Sequence, residues 1–301
     1  MPEAFDQLII NAKQAEELSS QIKTWMADNI TEEEFPSESK KLNRISRELR
    51  SVQRAASKRP SIFLFGASQV GKSYLVHNIA KHPDSGRCEV CIGNGQRVDF
   101  IDAINPPGGG TESTGISTRF RVGAEPVDAD FPFEAKLFNT VDVAAIAVNS
   151  FFNDLATGME LSEGEVAAWM NQVKSHGHDQ PQPGMDEDAF AYFIEYCESR
   201  YSNQSNIANL KRMGYFEVVR NAMPFLTMDQ RLQGLSFLWG GLPFWTEFVA
   251  RMWRALASIG YPYTVALPVD SVVSSNSLIN VKLMDELLAG GGEAIRLQNG
   301  Q

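Results

Sequence analysis

Cysteine is scarce in this chain: three in 301 residues, an odd number that cannot form a disulfide framework. A reducing, cytosolic setting is therefore the expectation. Basic residues are outnumbered, 27 Lys and Arg against 37 Asp and Glu, for a net charge of −10 and a pI near 5.0. That balance excludes a broad nucleic-acid-binding surface. Long apolar runs are also missing. The strongest, Val143-Ala-Ala-Ile-Ala-Val148, falls far short of the roughly 20 residues of a membrane span. Peripheral membrane contact is not ruled out by this, nor is export as an effector. The opening Met-Pro-Glu and the acidic amphipathic segment behind it do not form a signal peptide. There is no internal repeat and no low-complexity run. What is left is the composition of an ordinary globular protein, long enough for one large domain or two small ones.

The most informative stretch is Ser61-Ile-Phe-Leu-Phe-Gly66-Ala67-Ser68-Gln69-Val70-Gly71-Lys72-Ser73-Tyr74. It reads as a buried-type strand at Ile62–Phe65, a glycine-bounded loop and the first turns of a helix. The loop fits G-x-x-x-x-G-K-S/T. In that pattern backbone N–H groups wrap a phosphate, the lysine reaches the outer phosphates and the hydroxyl holds Mg²⁺. A helix N-terminus facing the anion completes the site.

Two helical stripes precede it. Phe5, Leu8, Ala12, Ala15, Leu18, Ile22, Trp25 and Met26 mark one; Leu42, Ile45, Leu49, Val52 and Ala56 mark the other, spaced three and four as in a coiled-coil seam. The first helix is rich in acids and the second in bases, which predicts an antiparallel pair ended by Pro60. The basic helix is expected to complement its acidic neighbour rather than to hold phosphate or lipid.

After the phosphate loop, Cys88-Glu-Val-Cys91-Ile-Gly-Asn94-Gly95 leads into Arg97–Ile101. Asn-Gly between apolar runs predicts a β-hairpin, with strands near 87–92 and 97–103. The C-x-x-C pair is half of a zinc site at most, because a tetrahedral site needs two further ligands. Cys197, His176 and His178 sit in a distant helical region. Next, Asn105-Pro-Pro-Gly-Gly-Gly-Thr111 to Arg119 reads as a glycine-rich loop entering a strand, of the kind that can close over nucleotide and supply a hydroxyl to Mg²⁺. From 139 to 260 the pattern is helical. Helices are expected after Asn139 or Thr140, after the capping box Ser162-Glu-Gly-Glu165, and over 186–200, 207–222, 227–239 and 243–259. The aromatics crowded there read as core. Strand character returns at 263–267 and 277–281.

The segment Ser113-Thr-Gly115-Ile-Ser-Thr118-Arg119 resembles the first switch of dynamin-like GTPases, which implies that Thr118 is the Mg²⁺-binding threonine. A longer resemblance is to the SrfC-like bacterial virulence factor family. It runs through Ile104-Asn-Pro-Pro-Gly to Phe120, returns at Leu235-Ser-Phe-Leu-Trp-Gly240, and again at Ser277-Leu-Ile-Asn-Val281. It implies a P-loop protein encoded with two partner proteins in a virulence- or toxin-associated operon, and family members longer than this chain. The expected fold is α/β, a dynamin-like P-loop NTPase sheet with an N-terminal helical hairpin (1–59) and a large helical insertion (139–260). The insertion divides the nucleotide-binding sheet into 60–138 and 261–301.

By that resemblance Gly66 to Tyr74 and Thr118 bind GTP or ATP, Ser73 and Thr118 hold Mg²⁺, and Lys72 and Thr118 serve catalysis. Arg119 faces the nucleotide or a partner. The chain departs from the pattern in three ways. Ser68-Gln69 stands where dynamin-like loops have Gln-Ser. No Asp-x-x-Gly follows a strand, and no Asn-Lys-x-Asp or Thr-Lys-x-Asp selects guanine. Either the sequence is a fragment ending near 301, or the domain lost those elements. Three functions follow in order: a Mg²⁺-dependent GTPase or NTPase, a nucleotide-gated scaffold with little turnover, and a small-molecule kinase using Asp99, Asp102 or Glu112.

Overall fold

The computed structural model describes residues 2–31, 35–58, 64, 71–104, 128–155, 162–175, 180–269 and 296–297. The strands expected at 118–123 and 277–281, most of that at 61–66, and the histidine-bearing loop 176–179 lie outside these residues. The chain divides into two compact units, Met1–Phe65 and Gly66–Gln301.

The first unit is a helical hairpin of α1 (Pro2–Asn29) and α2 (Phe35–Ala56). The helices run antiparallel, as rungs along their length show. Lys23 Nζ donates to Asn43 Oδ1 at 2.9 Å, Ser19 and Ser46 share a hydroxyl bond at 3.0 Å, and Arg50 pairs with Glu16 at 2.8 Å. Ala12, Ser19 and Met26, seven residues apart, are buried on α1, and Ser39 is buried on α2. Small side chains at this seam let the two backbones approach closely. The expected charge complementarity is present in the Arg50–Glu16 pair. Lys41–Glu38 and Arg44–Glu48 instead pair along α2 itself, where exposed ion pairs contribute less than about 1 kcal/mol.

In the second unit, α3 (Lys72–Ala80) is followed by a hairpin of β1 (Glu89–Cys91) and β2 (Arg97–Asp99), paired Val90 to Val98. Asn94 and Gly95 both take positive φ, 51° and 72°, as the Asn-Gly signal requires. The second strand was expected to continue to residue 103. It ends at Asp99, whose Oδ1 accepts the amides of Ile101 (2.9 Å) and Asp102 (3.2 Å) and bends the chain into a helical turn at Phe100–Ile104. A second antiparallel sheet has the order β3-β4-β5, from Phe133–Lys136, Thr264–Leu267 and Arg296–Leu297.

Between β3 and β4 the described residues form seven α-helices. They are α4 (Thr140–Ser150), α5 (Glu163–Ser175), α6 (Glu187–Arg200), α7 (Ser205–Arg212), α8 (Tyr215–Ala222), α9 (Met228–Ser236) and α10 (Pro243–Ser258). Capping fixes several starts. Asn139 with Asp142, and Thr227 with Gln230, form reciprocal capping boxes, and Asp186 caps α6. The single helix expected over 207–222 is two. Gly214 adopts φ 74° between α7 and α8, a left-handed conformation that a helix interior cannot contain.

The core sits here. Trp169, Trp239 and Trp253 are fully buried, and each indole N–H is satisfied: by Gln230 O at 3.3 Å, Thr246 Oγ1 at 3.0 Å and Thr140 O at 2.9 Å. Burial of large rings with their polar atom paired is what makes tryptophan a favourable core residue. Arg231 is also buried. Its guanidinium donates to the carbonyls of Met223, Pro224, Pro183 and Gln182 at 2.8–2.9 Å, fastening the 182–183 segment to the start of α9. Burial lowers its pKa, while Tyr261 acts in the opposite direction.

Candidate functional site

The P-loop expectation meets the described residues at Gly71, Lys72, Ser73 and Tyr74. Gly66, Ala67, Ser68, Gln69 and Val70 lie outside them, as do Thr118, Arg119 and Glu112. Gly71 is the N-cap of α3, with φ 85° and ψ 17°. That left-handed conformation disfavours any residue with a Cβ, so a glycine at the second conserved position of the motif has a local reason. The first i→i−4 bond of the helix is Leu75 N–H to Gly71 O, at 2.9 Å. Helix geometry therefore directs the amides of Lys72, Ser73 and Tyr74 out of the helix start.

An ammonium, a hydroxyl and these backbone donors form a set suited to an anion and to a hard cation beside it. Residues of this kind fit a nucleoside phosphate with Mg²⁺: Lys72 and the amides on phosphate oxygens, Ser73 on the metal. Tyr74 points its ring outward, 69% exposed, where it can meet only the periphery of a ligand.

One turn further along α3 lies a feature that the sequence did not single out as a pair. His77 Nδ1 is buried without a hydrogen-bond partner, 4.0 Å from Asp99 Oδ2. Asp99 was proposed from sequence as an acceptor-side carboxylate for a kinase. In the structure one of its oxygens caps the turn after β2 and the other faces His77. The carboxylate thus joins β2 to the following turn and lies beside α3 behind the helix start. No sequence pattern links positions 77 and 99; only the β-hairpin between them brings them together. Cys88 lies beneath this layer with Phe100, and Val76, Val90 and Phe133 pack against it. Burial raises the Cys88 thiol pKa, and the Asp99 carboxylate raises it further. A thiol held protonated in this way is a poor metal ligand and a poor nucleophile. Cys91 is half-buried on the same hairpin, and among the described residues no group of three His, Cys, Asp or Glu side chains could hold a metal ion. No helix is long and apolar enough to cross a membrane among the same residues.

Among the described residues the protein is mainly helical, with two small antiparallel sheets and a candidate anion-binding helix start at Lys72. Residues 25–301 match the family model described as putative bacterial virulence factor, and the chain belongs to that family. No curated protein and no solved structure matches the chain.

Proposed function

We propose that this virulence-family protein is a P-loop nucleotide-binding protein, a Mg²⁺-dependent GTPase or NTPase of dynamin-like type acting with protein partners from its own operon. The observation that carries the reading is the agreement between the Gly66–Ser73 motif and the start of α3. The helix begins at Lys72, directly behind a left-handed Gly71, as a phosphate-cradling loop needs. In this reading Gly66 to Gly71 wrap the phosphates, Lys72 reaches the β- and γ-phosphates, and Ser73 and Thr118 hold Mg²⁺. Bound Mg²⁺ supplies neutralisation of charge on the transferring phosphoryl group. The chain's own residues position the phosphates and orient the donors, which is most of what phosphoryl transfer asks of a protein.

A nucleotide-gated scaffold is the second reading, favoured by the lack of any Asp-x-x-Gly after a strand. Binding and turnover are separable by calorimetric titration of the full chain with GTP and ATP, with and without Mg²⁺, followed by phosphate release. Lys72→Ala is expected to weaken binding at least about tenfold, the loss of roughly 1.4 kcal/mol from one charge-assisted contact. Unchanged affinity in that variant would remove the P-loop assignment. Steady phosphate release abolished by Thr118→Ala selects the hydrolase over the scaffold.

A further inference from the structure

The N-terminal hairpin has an apolar face that its own two helices do not cover. Ala12, Ser19 and Met26 on α1 and Ser39, Ser46 and Gln53 on α2 form the seam between the helices, each set in steps of seven. Counted from those seam positions, the residues three and six further on are apolar in both helices: Ala15, Leu18, Ile22 and Trp25 on α1, and Leu42, Ile45, Leu49 and Val52 on α2. In an antiparallel pair these positions fall on the same side of the hairpin, because reversing the strand direction and swapping the partner cancel. The opposite side carries the polar rungs Lys23–Asn43 and Arg50–Glu16. The apolar side stays open to solvent, with Leu18 56%, Trp25 60% and Ile45 46% exposed. Four of the six seam residues are alanine or serine, while seven of the eight outer-face residues are large and apolar, the reverse of a finished two-helix unit.

We infer that this face is covered by the same face of a second copy, forming a four-helix bundle across a twofold axis. Charge favours this occupant. α1 carries five acids and two bases, α2 six bases and two acids, and residues 1–65 as a whole carry ten of each. A twofold running along the helices sets α1 of one copy antiparallel to α2 of the other, so acid-rich meets base-rich twice, and every neighbour in the bundle is antiparallel. The positions bordering the apolar face on α1 are Gln7, Gln14, Gln21 and Asp28, and those on α2 are Lys41, Glu48 and Ala55, so the one acid of the α1 rim lies at the end where the partner α2 offers Lys41 and no two acids meet. Size is adequate too. Twenty-two residues of α2 span about 33 Å, and a face two helices wide of that length approaches the roughly 800 Å² per partner of a standard interface.

The test is sedimentation velocity of the full chain from about 1 to 50 µM. The expected species is a dimer of about 67 kDa, twice the 33.4 kDa chain. The double variant Ile22→Glu/Trp25→Glu should sediment as a monomer with unchanged far-UV circular dichroism. Val52→Lys, a single change on the other helix, should weaken self-association at least about tenfold and serves where the double variant loses helicity. A wild-type monomer across the concentration range overturns the inference, as does a dimer that all these substitutions leave intact. A monomer that co-sediments with anionic phosphatidylserine vesicles would instead give the face to a membrane. One whose Trp25 is shielded from acrylamide quenching, judged against Trp25→Phe, would give it to the rest of the chain.

Discussion

At the residue scale, the core is more exacting at one glycine than at any of its aromatics. Gly234 lies in α9, and a Cβ there would run into Trp169 Cζ2, with Met223 Cε at 2.7 Å and Trp169 Cη2 at 2.8 Å. The Trp169 ring cannot yield easily, since Tyr215 and Phe237 pack against it at ring distances of 6.1 and 5.9 Å. Tyr215 in turn donates its hydroxyl to Gly234 O at 2.8 Å. Gly234→Ala would gain helix propensity yet pay for overpacking of a rigid cluster. The net loss is expected at about 1–3 kcal/mol, measured by urea unfolding. A neutral or stabilising result would mean that Trp169 has room to move. The sequence announced the aromatics of this region as core but not this glycine, because its need arises from Trp169, 65 positions away, and not from any local turn.

At the scale of elements, what could be read from sequence was what is decided locally. The capping boxes at Asn139 and Thr227, the Asn94-Gly95 turn and the helix following Asp186 all rest on contacts within four residues, and they form as their residues dictate. What could not be read was decided at a distance. The break at Gly214 looked like an ordinary mid-helix glycine, since Ile207, Leu210, Phe216 and Val219 keep a helical rhythm across it; the buried faces of α7 and α8 nonetheless belong to two directions. The His77–Asp99 pair and the Arg231 carbonyl cluster are likewise products of topology. So is the link between the end of α4 and the end of α6. There Asn149 Oδ1 accepts hydroxyls from Tyr196 at 2.7 Å and Tyr201 at 2.5 Å, while Phe152 stacks on Tyr201 at 4.3 Å. Burial raises the Tyr201 phenol from 10.0 to about 12, with its hydrogen-bonded neighbour Tyr196 adding to the shift. The folded protein therefore holds this proton more tightly than the unfolded chain. The stabilisation is complete below about pH 10 and is lost as pH climbs through 12. Denaturation of wild type and Tyr201→Phe should differ by about 1 kcal/mol at pH 8, the worth of one hydrogen bond. The gap should close above pH 10. A gap that widens with pH would mean that the phenolate, not the phenol, is the favoured form.

At the scale of the whole molecule, the charge distribution sets the terms for any phosphate ligand. Because residues 1–65 are neutral, the entire excess of ten negative charges belongs to residues 66–301, the unit that contains the Gly66–Ser73 motif. Long-range attraction will not draw a nucleotide to such a surface; capture has to come from donors at close range. Lys72 and the amides at the start of α3 are such donors, directly behind the left-handed Gly71. This gives a sharper expectation than affinity alone. Hydrogen exchange of the full chain with Mg²⁺ and GTP or ATP should slow at two separated stretches together, 66–75 and 111–119, and leave α4 to α10 unchanged. Mg²⁺ alone should protect neither stretch, because Ser73 and Thr118 by themselves are too few ligands for a hard cation that prefers six oxygens. In Lys72→Ala both protections should vanish at the same nucleotide concentration. Protection at 66–75 without 111–119 would leave an anion-binding helix start and remove Thr118 from the site. Protection spread through the helices would place the ligand elsewhere, and with it the function.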